Sequence, residues 1–176
     1  LVIRRQRQMC IRDSYKLSKE STIENVHTKE VSTEFGEFRL DVWRDVIFDE
    51  HHFSLTKGSP EKADVPMVRV QTQSVLQDTL GIDEIGKKWS IRKSLQKISE
   101  EGTGVFVLIN HRDAKTYWLS SLKDENIEPK RNRRVIGIGS QILRSLGLSR
   151  INVLGTPTKY SGLSGFNIEI EGFIDE

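Results

Sequence analysis

The chain has 176 residues, 36% of them hydrophobic and 30% charged, with 27 Lys+Arg, 25 Asp+Glu and a formal net charge of +2. That length favours one domain able to bury about 70% of its unfolded surface, and the composition excludes a disordered polymer. No apolar run approaches the roughly 18 residues of a membrane span, the charge is too weak to imply nucleic acid, and the single cysteine, Cys10, excludes an internal disulfide and any zinc site of several thiolates. A soluble, cytoplasmic protein with no membrane or nucleic-acid partner is the expectation.

Residues 1–14, LVIRRQRQMCIRDS, hold four arginines and one acid without usable periodicity. No apolar segment follows, so a signal peptide is excluded. A basic nucleic-acid arm stays open. The string Met9-Cys10-Ile11-Arg12-Asp13-Ser14 resembles translated sequencing-library adapter, which implies a metagenomic fragment. Without residues 1–14, 23 basic and 24 acidic residues remain, and the net charge becomes −1.

Residues 15–26 (YKLSKESTIENV) read as a weak helix or linker. Gly36 then opens GEFRLDVW, where Phe38, Leu40 and Val42 alternate with polar partners as in a half-buried strand. HHFSLTK (51–57) is a second strand. A turn-rich stretch, 58–66, separates it from a third, MVRVQTQSV, so the first half reads as antiparallel β. Within 89–101, Ile91, Leu95 and Ile98 fall at helical spacing, and Gly102 ends the helix. GVFVLIN (104–110) is a continuous apolar run, as in a strand covered on both faces. Ile138, Ile142, Leu143 and Leu146 mark a second amphipathic helix, stopped by Gly147. INVLG (151–155) and FNIEIEGF (166–173) are the last strands. Helix–strand–helix–strand order predicts an α/β layer with some parallel pairing.

Four histidines, His27, His51, His52 and His111, show no chelating spacing; His51 and His52 face opposite sides of a strand. GIGSQI (137–142) lacks the third glycine of a dinucleotide fingerprint and follows a basic loop, so small-residue helix packing explains it better. KRNRR (130–134) is either a solvated loop or an anion site, since arginine forks grip phosphate bidentately. Positive charge at a helix start opposes the helix dipole, and a bound anion would relieve it. GTPTKY (155–160) is either an ordinary turn or a phosphate cradle built from Thr156 and Lys159.

In order, these pieces resemble GTP cyclohydrolase II, from about Thr33 to Ile174. STEFGEFRL is similar to that family's opening strand, and VRVQTQS to its Arg-Val-His-Ser-Glu-Cys segment. ISEEGTGVFVL resembles its Glu-Glu-Gly-Arg-Gly turn and strand. IGIGSQILRSLGLSRINVL resembles its Gly-x-Gly-x-Gln-Ile-Leu helix-strand unit, and TPTK its Asn-Pro-x-Lys turn. The resemblance implies residues 33–176 as the domain. It makes 15–32 a linker from a missing 3,4-dihydroxy-2-butanone 4-phosphate synthase domain, and 1–14 an artefact.

The resemblance also implies riboflavin biosynthesis, a homodimer, a nucleotide or phosphate ligand, and a zinc ion held by three cysteines. Those three positions fall near Ser74, Ile85 and Lys87, none a thiolate, so no zinc and no cyclohydrolase activity are expected. The family's nucleotide-contacting arginine of the Glu-Gly-Arg-Gly turn is Thr103, and the aspartate of its Asp-x-Arg pair is Asn132. Arg69, Arg134, Pro157 and Lys159 are retained. Arg134 holds the position to which the family assigns the catalytic nucleophile, here vestigial; Arg69, Thr156 and Lys159 are the expected phosphate contacts. Three readings are compatible with these residues: a degenerate domain supporting a fused synthase, a metal-independent enzyme releasing pyrophosphate from a nucleotide or else a phosphate-ligand binding or regulatory module, and a nucleic-acid or anionic-surface binder using KRNRR.

Overall fold

Three strands in the first third of the chain zip together through short turns. The computed structural model describes residues 21–82, 89–110, 133–157 and 163–175. β1 (Ile23–Thr33), β2 (Gly36–Asp45) and β3 (Glu50–Lys57) pair antiparallel. The β1–β2 turn is closed by Thr33, whose hydroxyl donates to Gly36 O (2.8 Å) and accepts from the Phe35 N–H (3.1 Å).

Residues 23–32 therefore belong to the sheet, not to a linker or weak helix. Their polarity hides a strand whose partner is β2 throughout, and the Thr22 N–H anchors it by donating to Gln141 Oε1 (2.7 Å). The expected segments at 1–14 and 15–20 lie outside the described residues.

β4 (Met67–Thr72) corrects the antiparallel reading of the first half. It pairs parallel with β5 (Gly104–Ile109) and with β6 (Arg150–Leu154), while β3 lies antiparallel against β5. The physical reason is the helical connection out of β4: α1 (Ile91–Glu101) returns the chain to the starting edge, so the next strand runs the same way. Likewise α2 (Arg133–Ser145) carries β5 to β6, and β7 (Glu169–Ile174) pairs parallel with β6. The seven-stranded sheet has the order β1-β2-β3-β5-β4-β6-β7, a mixed α/β fold as the resemblance predicts.

The helices cover opposite faces. Ile138, Ile142 and Leu143 of α2 pack on Val105, Val107 and Ile109; Leu95 and Ile98 of α1 pack with Phe106, Met67 and Leu154. β5 is thus covered on both sides, as its unbroken apolar run predicts. Ser90 caps α1 by accepting from the Lys93 N–H (3.2 Å), and Gly102 ends it at φ 77°. Among the described residues no helix is long and apolar enough to cross a membrane.

GIGSQI is a packing element. A Cβ on Gly139 would sit 2.7 Å from Val70 Cγ1, so the missing side chain lets α2 approach β4. Gly139→Ala should gain about 1 kcal/mol of helix propensity but lose about 1–3 kcal/mol to overpacking. Net destabilisation in urea is expected, relieved by adding Val70→Ala; a stabilised single variant would refute the packing role.

Candidate functional site

Four parallel strands, β5, β4, β6 and β7, end at one edge of the sheet. From β4 the chain crosses to β5 on one side; from β5 it crosses over to β6 on the other, with α1 and α2 on opposite faces. The connections diverge between β4 and β6, the place where open α/β sheets form ligand crevices. Here the pairing stops early, with Met67↔Asn152 and Val68↔Val153 the only registered pairs.

Arg69 fills the opening. Its Nη1 donates to Leu154 O (2.6 Å), its Nη2 to Trp89 O (3.4 Å) and its Nε to Gln71 Oε1 (2.9 Å). Gly155 makes this possible: at φ 154° it adopts a backbone that side chains disfavour, and a Cβ would lie 3.0 Å from Arg69 Nη1. Thr156 follows Gly155 directly in the chain and is exposed. Lys159 lies outside the described residues.

Beyond β4 the chain makes a π-helical turn at Val75–Thr79. Ser74 caps it: its hydroxyl accepts from the Gln77 N–H (3.4 Å), while its own N–H donates to Asp78 Oδ2 (2.7 Å). Asp78 Oδ1 accepts from the Ile91 N–H (3.1 Å), fixing the turn to the start of α1. The donors do not fit a three-thiolate zinc site. A hydroxyl engaged as a cap stands at the first position; Ile85 and Lys87, outside the described residues, supply no thiolate by their chemistry. Among the described residues no His, Cys, Asp or Glu group is arranged to hold a metal.

Arg134 sits elsewhere. It lies in the first turn of α2 and pairs with the facing ends of β2 and β3, its Nη2 bonding Glu50 Oε2 and lying 3.6 Å from Asp45 Oδ2. Its guanidinium carbon lies 3.5 Å from the centre of the Phe48 ring. The counter-charge expected of a bound anion at this helix start is thus provided for Arg134 by the protein's own carboxylates.

Sequence reasoning did not single out Asp45 or Glu50, whereas its placing of His51 and His52 on opposite faces of a strand agrees with the structure. His52 is fully buried and accepts from the Asn110 N–H at Nδ1 (3.2 Å), while His51 is exposed. The available signal was β3's polar period: Glu50, His52, Ser54 and Thr56 share its buried face.

The fold and this edge define a mixed α/β domain in which Arg69 ties β4 to the end of β6 at the switch point of the parallel strands. Residues 24–175 match the sequence profile of the family described as GTP cyclohydrolase II. The chain belongs to the GTP cyclohydrolase II family. It is 30% identical over 166 residues to a 3,4-dihydroxy-2-butanone 4-phosphate synthase of Pseudomonas aeruginosa, covering 91% of this chain and 45% of that protein. It is 30% identical over 171 residues to the riboflavin biosynthesis protein RibBA of Cytophaga hutchinsonii, covering 89% and 42%. Among solved structures, RibBX, a two-domain 3,4-dihydroxy-2-butanone 4-phosphate synthase from A. baumannii, superposes with a TM-score of 0.65 at 26% identity. That match covers 92% of this chain and 43% of the other. The chain spans less than half the length of these relatives.

Proposed function

We propose that this chain is a riboflavin-biosynthesis domain without cyclohydrolase activity, supporting a fused or associated 3,4-dihydroxy-2-butanone 4-phosphate synthase. One observation carries the reading. Ser74, where the resemblance puts the first zinc thiolate, spends its hydroxyl and N–H on capping the turn at 75–79. No cysteine follows residue 10, so there is no thiolate set to hold a metal that acidifies water. Relatives named as synthases, and the two-domain RibBX, support the choice of partner. Arg69 and Thr156, with Lys159 three residues further along the sequence, would take the phosphate of a nucleotide or sugar-phosphate ligand. A homodimer belongs to the same reading.

The pyrophosphate-releasing alternative is weakened, because Arg134 is engaged by Glu50 and Asp45 instead of being presented to a triphosphate. GTP incubated with the chain and added zinc should yield no formamidopyrimidine product above the protein-free rate. Turnover to that product would overturn the proposal.

A further inference from the structure

A cavity of about 600 Å³ opens on the α2 face of the sheet, between β1–β2 and the C-terminal end of α2. It is separate from the crevice at the strand ends, because Arg69 packs on the other side with Trp89 and Leu154. We propose that this cavity is a second ligand site, for a small monocarboxylate with an apolar body.

The argument begins at Asp41, which is only 2% exposed. Burying a carboxylate is costly unless donors surround it. Here Thr28 Oγ1 donates to it at 2.7 Å, Asn25 Nδ2 at 3.1 Å and Arg39 Nε at 3.1 Å. The carboxylate is satisfied, and in exchange it fixes the Arg39 side chain by the inner nitrogen. Neither terminal nitrogen of Arg39 has a hydrogen-bond partner among the described residues, and the side chain lines the cavity. A held guanidinium with two spare nitrogens grips a carboxylate bidentately.

The remaining walls select the ligand's body and charge. Ile23, Trp43 and Leu146 give an apolar surface, and Trp43 is pinned by its Nε1–H donating to Ser54 Oγ (2.9 Å). Glu61 also lines the cavity, so Arg39, Asp41 and Glu61 together leave it at −1. That net charge opposes anions in proportion to their charge, so phosphate dianions and nucleotide triphosphates are rejected more strongly than one carboxylate, whose pairing with the free end of Arg39 has to outweigh it. The volume lies within the usual range of small-molecule clefts.

Phenylacetate serves as the probe, titrated into the ¹⁵N-labelled chain while the Trp43 indole N–H resonance is followed. A saturable shift is expected, with affinity weakened about tenfold or more by Arg39→Gln and by replacing phenylacetate with neutral phenylacetamide. Ser145→Trp, a change at an exposed residue of the lining, keeps the test valid should the Arg39 variant misfold, and should abolish the shift. The absence of a saturable shift, undiminished affinity in either folded variant, equal affinity for phenylacetamide, or equally tight binding of inorganic phosphate would each overturn the proposal.

Discussion

Arg134→Ala is expected to destabilise the domain by about 3–5 kcal/mol, the cost of leaving a buried ion pair half empty. The Asp45 and Glu50 side chains are 0% and 6% exposed, and the Arg134 side chain 18%, so water cannot readily take its place. Asp45 has other partners: Oδ1 accepts from the Ile47 N–H (2.9 Å) and the Phe48 N–H (3.3 Å). The substitution also removes the guanidinium stacked on Phe48. Against these losses, a cation at a helix start costs only about 0.3–1 kcal/mol, so relief of the dipole cannot offset them.

Urea unfolding at neutral pH, with the slope checked for constancy, measures the difference. Adding Glu50→Gln should recover about 1–3 kcal/mol, because the two changes share one interaction and are not additive. A loss under about 0.5 kcal/mol, typical of surface sites, would show that Arg134 is a spare cation available to a substrate. The same experiment thus separates a structural arginine from a vestigial catalytic one.

What the sequence revealed depended on how local the determining forces were. β5 was legible because burial on both faces forces Val105 through Ile109 to be apolar without interruption. α1 was legible because Ser90 and Gly102 act on the backbone next to them. β1 was not legible: Glu24 to Glu30 are exposed and follow no period, and only the hairpin with β2 makes them a strand. β3 was found as a strand, but the unexpected fact is that its buried face carries Glu50 and His52. Apolar periodicity has no means of predicting a polar interior.

The candidate site divides in the same way. Arg69 could be singled out as a cation, but two of its partners are the main-chain oxygens of Leu154 and Trp89, 85 and 20 residues away. A carbonyl oxygen carries no residue identity, so no motif announces it. Arg134 was paired in expectation with an external anion because its true partner, Glu50, lies 84 residues earlier. Parallel pairing of β4 with β6, which sets the crevice, likewise depends on chain crossings that local pattern does not encode.

Ile98→Ala should cost about 2–5 kcal/mol, the range for truncating a buried isoleucine whose cavity cannot fully collapse. Ile98 is 0% exposed at the joint between α1 and β5, packed with Phe38, Leu95 and Phe106. Collapse is restricted because the facing residue, Gly104, has no side chain to move into the gap. A methyl on Gly104 would meet Ile98 Cγ2 at 3.1 Å and Met67 O at 2.6 Å. The first contact is a side chain and can yield. The second is a main-chain oxygen in the β4–β5 ladder, where Met67 pairs with Gly104, and it cannot shift without breaking that register. Gly104→Ala is therefore expected to cost about 1–3 kcal/mol or more on its own. Combining it with Ile98→Ala should not restore stability, in contrast to Gly139→Ala with Val70→Ala, where the obstacle is a side chain. Urea midpoints of the single and double variants test this, and a double variant more stable than Ile98→Ala alone would show that the β4 backbone yields after all.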